Sequence, residues 1–462
     1  MREEMTKSAA PGGGSDHPVW HGRWTLLMAA TGSAVGLGNI WKFPYITGEN
    51  GGAAFVLIYI VFVLVLGVPL MLGELGLGRS SRKSPLSTIM DINRERGLPK
   101  GLDLAGWIPQ IGSISILTFY SVIAGWSLLY ILYSLMGVFS GIDAAGSEEV
   151  FTGLLGSAGV MILGHTVFMA LTAFIIARGA VAGIARSIGW LMPLLLTMVV
   201  IMLGYSMFSG EFARGVAYLF TPDFSKVTPA AISEALGHAF FSLSLGMGAI
   251  MVYGSYMQNQ ENIPVTGTTV SLLDMVLALG MGLVVFPVVF AYGLEPSAGP
   301  GLIFQSVPLA MGNLPLGDIF NVVFFSLVAF AALSSSISLL EPTVAMIEER
   351  VQTSRPVITV IVAGGTWLVG IAAALSFNHW DEIKIFGAGI FDALDFVSGQ
   401  ILLPLGGLVV AVWSGWYMNR SAIREQLVMS DALFSIWEIA VRYVTPLLIV
   451  LVMLGGLGII SF

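Results

Sequence analysis

Eleven stretches of mostly apolar residues dominate this chain, each near the length of about 20 that a helix needs to cross the hydrocarbon of a bilayer. They centre near Val35, Val65, Val122, Thr166, Thr197, Leu243, Gly280, Ala331, Val362, Gly399 and Val450. Hydrocarbon offers no water to an unpaired N–H or C=O, so a crossing segment is a helix or part of a closed barrel, and runs of this length are helices. The expected fold class is an all-α polytopic membrane protein with 11 transmembrane helices. Composition agrees: 56% hydrophobic and 10% charged residues would leave a water-soluble chain short of polar surface. The lipid bilayer is the expected surrounding.

Loop charge orients the spans. Arg79, Arg82, Lys83, Arg94, Arg178, Arg186, Arg350, Arg355, Arg420 and Arg424 fall on one side, whereas Asp143, Glu148, Glu149, Glu211, Asp223, Asp381 and Glu382 fall on the other. The positive-inside rule makes the basic side cytoplasmic, which implies a multi-pass protein of the cell (inner) membrane. Residues 1–18 read as a flexible cytoplasmic tail without the apolar run of a signal peptide, and an odd span count puts the C-terminus outside. The net charge of -8 comes with no basic face for a nucleic-acid partner, and the absence of cysteine removes disulfides and thiolate metal sites. No residue pattern specifies an oligomeric state.

Two spans are interrupted in matching places, the first by Gly32-Ser-Ala-Val-Gly-Leu-Gly-Asn39 and the sixth by Ser242-Leu-Ser-Leu-Gly-Met-Gly248. Either cluster alone also reads as a close-packing face. Equivalent positions five helices apart point instead to a transporter site between two halves. The expected organisation is a 5+5 inverted repeat, 19–208 and 209–430, with helices 1 and 6 unwound mid-membrane and helix 11 at 431–462. Unwound backbone offers carbonyls to a cation and half-helix N-termini to an anion, so one central site takes both.

The blocks Gly36-Leu-Gly-Asn-Ile-Trp-Lys-Phe-Pro-Tyr45, Glu49-Asn-Gly-Gly-Ala-Ala-Phe55, Ala239-Phe-Phe-Ser-Leu-Ser-Leu-Gly246 and Leu333-Ser-Ser-Ser-Ile337 occur in order among the spans. They resemble the neurotransmitter:sodium symporter family, of the leucine-transporter fold, and most resemble its bacterial members that take several hydrophobic amino acids. The resemblance implies two sodium ions. One would be held by Ala34, Asn39, Ser242 and Asp274 with the substrate carboxylate, the other by the carbonyls of Gly32, Val35 and Ala331 and the hydroxyls of Ser334 and Ser335. All-oxygen sets suit a hard cation. Ser242 and Ser334 stand where the family often has threonine, so the hydroxyl is kept and the rotamer-limiting methyl lost. Read without the resemblance, Ser334 to Ser336 is also an interhelical hydrogen-bonding triplet. Asp274 read alone is also a carboxylate paired with a neighbouring donor, although an ionisable group at that depth is by default functional.

The resemblance places the substrate, an L-amino acid, among Ser33, Ala34, Leu37, Gly38, Ile116, Tyr120, Phe241, Ser242, Ser244, Met247, Ser335 and Leu339. Monoamine carriers of the family have an aspartate where this chain has Gly36, so here the carboxylate belongs to the cargo. No side chain in the set is charged, and an unpaired polar group there costs about 1–3 kcal/mol, whereas an added methylene gains about 0.8. Flexible Met247 extends the expected range to aromatic side chains. Each apolar member also reads as ordinary helix packing.

By the same resemblance Lys42 and Asp395 form an outer gate over a Tyr120–Phe241 lid, and Trp20, Glu349 and His17 form an inner one. A tail histidine also reads as merely solvated. Gly183 and Pro193 match a release hinge, and a simple proline kink is the plainer reading. Asp274 supplies the negative charge that animal members take from bound chloride, so chloride is not expected. His238 stands where those members have a chloride-binding glutamine, placed to hydrogen-bond Asp274 or to be satisfied in the core.

The implied activity is sodium-coupled secondary active symport of hydrophobic and aromatic L-amino acids by alternating access. A proton-coupled amino acid carrier of the same fold is the alternative. A membrane enzyme lacks support because the five histidines are scattered with no nucleophile–base set, and a channel because no filter loop or charged ring is visible.

Overall fold

The computed structural model describes residues 18–20, 22–296, 301–457 and 459, and it contains no strand among them. Among the described residues nine helices are long and apolar enough to cross a membrane: α2 (Ala53–Ser81), α3 (Lys100–Leu135), α4 (Ala158–Ala177), α5 (Ala180–Ser209), α7 (Ile263–Ala291), α8 (Gly317–Glu348), α9 (Arg355–Leu375), α10 (Ile390–Tyr417) and α11 (Asp431–Gly456). The apolar windows near Val35 and Leu243 are missing from that set because both are broken. The first, α1, consists of Arg23–Ala34 and, after a break at Val35 and Gly36, a π-turn Gly38–Lys42 that runs into Phe43–Glu49. The second, α6, consists of Pro229–Ser242 and Ala249–Ser255.

Backbone conformation explains the α6 break. Gly246 and Gly248 have φ of 76° and 75°, in the left-handed region that only glycine enters without strain. Ser244 joins them at 54°, and its hydroxyl donates to the Ser33 carbonyl of α1 at 2.7 Å. The buried Glu74 of α2 then accepts the Gly246 N–H at 2.6 Å. A Cβ on Gly406 of α10 would overlap the Gly246 carbonyl oxygen, so α10 presses directly on the break. Gly406→Ala is therefore expected to destabilise the protein by about 1–3 kcal/mol, the usual cost of overpacking. Thermal unfolding of the purified variant at an unchanged midpoint would contradict that contact.

Eight of these helices pack in two groups of four, with α5 against a member of each. Helices α3, α4, α8 and α9 lie against one another, and α1, α2, α6 and α7 do the same. Small residues permit the closest crossings in the first group. A Cβ on Gly125 would meet Gly164 at 2.6 Å, and one on Gly370 would meet the Thr118 carbonyl oxygen at 2.7 Å. The apolar core of α3 is 78% buried and that of α11 only 22%, so α3 is central and α11 faces lipid. The two groups meet around the α1 and α6 breaks.

Candidate functional site

The α1 break frees the oxygens that build the site. In an unbroken helix the Gly36 and Leu37 N–H groups would bond the Gly32 and Ser33 carbonyls. Here the Gly36 N–H points to the Asn39 side-chain oxygen at 3.4 Å and the Leu37 N–H donates to the Tyr120 hydroxyl at 3.1 Å. The released Ser33 carbonyl accepts from Ser244 and, at 3.1 Å, from Ser335 on α8. The Ser335 hydroxyl also lies 3.5 Å from the Gly32 oxygen, and Ser334 donates to the Ala331 carbonyl at 2.9 Å. Gly32, Ala331, Ser334 and Ser335 thus come together around neutral oxygens, with Val35 at the end of the first α1 piece beside them.

A second cluster forms around Asp274 of α7, which is fully buried. Ser242 donates to its carboxylate, the Asn39 amide nitrogen donates at 2.7 Å, and Tyr59 donates at 3.3 Å. Asn39, Ser242 and Asp274 are therefore neighbours, as the family resemblance implies. The Asn39 nitrogen, rather than the oxygen expected to ligate a cation, faces the carboxylate. A half-turn of the terminal amide exchanges the two.

Tyr59 was not among the expected residues. Its signal was a lone hydroxyl inside the apolar run of α2, since a buried tyrosine normally finds a partner. His238 does not take the bond to Asp274 open to it. Both its ring nitrogens lack a partner, and its ring packs against Tyr59 and Phe43 at centroid distances of 5.0 and 5.7 Å. Tyr59 fills the space between.

Between the clusters lies a cleft of about 10 Å³, room for one water at most. It is lined by Ser33, Ala34, Leu37, Gly38, Ile116, Tyr120, Phe241, Ser244, Met247, Ser335 and Leu339, joined by Gly36. Of the expected pocket residues only Ser242 is off its wall, turned toward Asp274. Gly36 has no space for a side chain, because a Cβ there would overlap the Ser335 hydroxyl and sit 2.8 Å from that of Tyr120. The lack of an aspartate at this position thus has a steric basis.

Phe241 separates the cleft from a cavity of about 570 Å³ on the acidic-loop side, since it lines both. There Lys42 pairs with Asp395 at 3.1 Å, and its ammonium stands 5.2 Å from the Phe241 ring centroid. On the basic-loop side Trp20 is buried, with its indole N–H on the Ala180 carbonyl at 2.9 Å and its ring against Tyr253 and Tyr256. Trp20 thereby touches the start of α5, where Ala180–Ala185 forms a π-turn around Gly183, while Pro193 lies inside Arg186–Ser209. Glu349 does not reach Trp20. It accepts from the Ser84 N–H at 2.5 Å and from the Ser84 and Ser87 hydroxyls at 2.6 Å, capping the helix Pro85–Glu95. His17 lies outside the described residues.

Closer to the basic face is a buried network absent from the expectations. Glu341 of α8 accepts from Tyr256 at 2.5 Å and from Arg355 of α9, which also pairs with Glu348 at 2.5 Å. A glutamate inside a span was its sequence signal.

Two helix groups, two broken helices and a closed cleft between an open cavity and an aromatic plug define a carrier, a multi-pass membrane transporter rather than an enzyme. The chain belongs to the sodium:neurotransmitter symporter family, whose sequence profile matches residues 17–141 and 153–460. It is 35% identical over 447 residues to the uncharacterized sodium-dependent transporter YhdH of Bacillus subtilis, covering 96% of this chain and 98% of that one. An uncharacterized sodium-dependent transporter of Haemophilus influenzae is 33% identical, covering 95% and 98%. Among solved structures, MhsT in complex with L-phenylalanine matches with a TM-score of 0.88 at 37% identity, covering 95% of this chain and 99% of that one.

Proposed function

We propose that the chain is a sodium-coupled symporter that imports hydrophobic and aromatic L-amino acids by alternating access, without chloride. The observation that carries this reading is the cleft itself. Its polar wall of freed α1 backbone, Tyr120 and Ser244 adjoins the Asp274 cluster, while Leu37, Ile116, Phe241, Met247 and Leu339 supply an uncharged remainder. Tyr120 and the Leu37 N–H hold the substrate carboxylate, carbonyls and Ser244 hold its amine, and the apolar wall takes its side chain. The complex of MhsT with L-phenylalanine supports an aromatic cargo.

One sodium ion takes oxygens of Ala34, Asn39, Ser242 and Asp274 together with the substrate carboxylate, which makes cation and cargo mutually dependent. The second takes Gly32, Val35, Ala331, Ser334 and Ser335 and ties α1 to α8. Asp274 supplies a full negative charge beside the first ion, so no chloride is required. The basic face is cytoplasmic, the two repeats fall within 19–208 and 209–430, and the last segment, 431–462, carries α11. Lys42, Asp395 and Phe241 close the outer path, and Trp20 closes the inner one. Unwinding between Gly183 and Pro193 opens the way inward, because proline removes a backbone donor and glycine weakens the helix. Glu349 contributes by holding the corner after α2.

The test is uptake of labelled phenylalanine by proteoliposomes under an imposed inward sodium gradient at constant pH. Accumulation is expected, undiminished when gluconate replaces all chloride. Loss of uptake on that replacement would refute chloride independence. Uptake driven by a pH gradient without sodium would establish the proton-coupled alternative instead.

A further inference from the structure

A cavity of about 490 Å³ opens on the basic face where α2 and α8 leave the apolar layer, well away from the central cleft. Arg82, Lys83 and Arg94 from the α2–α3 connection and Arg350 from the end of α8 line it, against the carboxylates of Asp91 and Glu349. Positive loops are general on this face. Here four cations from two separate segments enclose one concave volume, and the local charge does not cancel.

Lys83 and Arg94 share Asp91, at 2.5 and 3.1 Å. Glu349 is occupied by Ser84 and Ser87, and Arg350 stands 3.7 Å from it. Arg82 bonds only neutral acceptors among the described residues, the Ser255 carbonyl at 3.0 Å and the Asn259 side-chain oxygen at 2.6 Å. Its backbone φ of 56° is left-handed, a conformation unfavourable for any residue with a Cβ and retained here at the cavity wall. Two positive charges are therefore in excess.

We propose that this cavity binds a phosphate group, as carried by the headgroup of an anionic phospholipid or by a soluble phosphate. Guanidinium groups match phosphate oxygens in pairs, and Lys83 adds a point charge. The location at the end of α2 puts the cavity at headgroup depth. A bound phosphate bridges the α2 corner, which belongs to the group of broken helices, and α8, which belongs to the other group. It thus braces the face that Trp20 closes, a consequence that rests on the transport reading above, whereas binding itself does not.

The experiment measures retention of phosphatidylglycerol against phosphatidylcholine by the full-length chain purified in mixed micelles, using mass spectrometry of the co-purified lipid. Each excess cation near a membrane surface favours an anionic lipid about fivefold, so wild type is expected to prefer phosphatidylglycerol about thirtyfold. Lys83→Gln with Arg94→Gln should lose most of that preference. Arg420→Gln with Arg424→Gln, which removes equal charge from the same face outside the cavity, should keep it. In a second arm inorganic phosphate is added to lipid-depleted protein. A rise in melting temperature that the Lys83 and Arg94 changes abolish would support the site with a soluble occupant. The proposal is overturned if the two double variants lose lipid preference equally, or if wild type shows neither lipid preference nor a response to phosphate.

Discussion

Asp274→Asn is expected to weaken sodium binding about a hundredfold, near the lower end of the cost of leaving a buried ion under-compensated. The carboxylate is fully buried and draws donors from Ser242, Asn39 and Tyr59, so three separate helices are arranged around its charge. An asparagine keeps the shape and one oxygen but offers only a dipole to the cation. The measurement is the sodium dependence of phenylalanine binding to purified protein, where the midpoint should move upward by about two decades. Folding should not suffer, because burying a neutral amide costs less than burying a carboxylate. Glu234→Gln, which alters a carboxylate lining the open cavity on the acidic-loop side, should shift the midpoint far less. Equal sodium midpoints for wild type and Asp274→Asn would remove Asp274 from the cation site.

Arg355→Ala is expected to be the most destabilising single change in the basic-face network. It strips Glu341, which is fully buried, of its only cationic partner among the described residues and leaves it the Tyr256 hydroxyl. Breaking a buried pair from one side costs about 3–5 kcal/mol, because the remaining charge stays desolvated. The Arg355 bond to the Ile176 carbonyl, at 3.0 Å, is lost as well. Thermal melting of the purified variant should fall accordingly. Adding Glu341→Gln should recover much of the loss, since it removes the orphaned charge, and a double-mutant cycle isolates the coupling. A single variant that melts like wild type would show that the charge of Glu341 is neutralised in another way.

The fold was legible because lipid admits so few answers: apolar length located the nine continuous spans, and glycine clusters located both breaks. The cleft was legible through motif register, and eleven of its twelve lining residues were expected; Gly36, flagged only for what it lacks, completes it. Contacts between helices distant in sequence were less legible. Tyr59 meets Asp274 across 215 positions, and Glu349 meets Ser84 across 265. No local period encodes which of several polar groups at one depth will pair. Family register assigned Glu349 to an inner gate with Trp20 and His17; its oxygens take the Ser84 and Ser87 donors, and His17 lies outside the described residues. The Asn39 amide likewise has two ends, and only the packed neighbours decide which one faces the carboxylate.

The contact of Gly246 with Glu74 on one side and Gly406 on the other has a mechanical consequence. It fixes a fulcrum near the middle of α6, with a 14-residue arm above it and a 7-residue arm below. At about 1.5 Å of rise per residue the arms are roughly 21 and 10 Å long. Because the unwound turn with its left-handed Ser244, Gly246 and Gly248 separates the two arms, each tilts about that point on its own, and for an equal tilt the longer arm sweeps about twice the distance of the shorter. The long arm, whose Gly237, His238 and Phe241 line the large cavity, is thus free to reshape that cavity while Tyr253 of the short arm stays packed on Trp20.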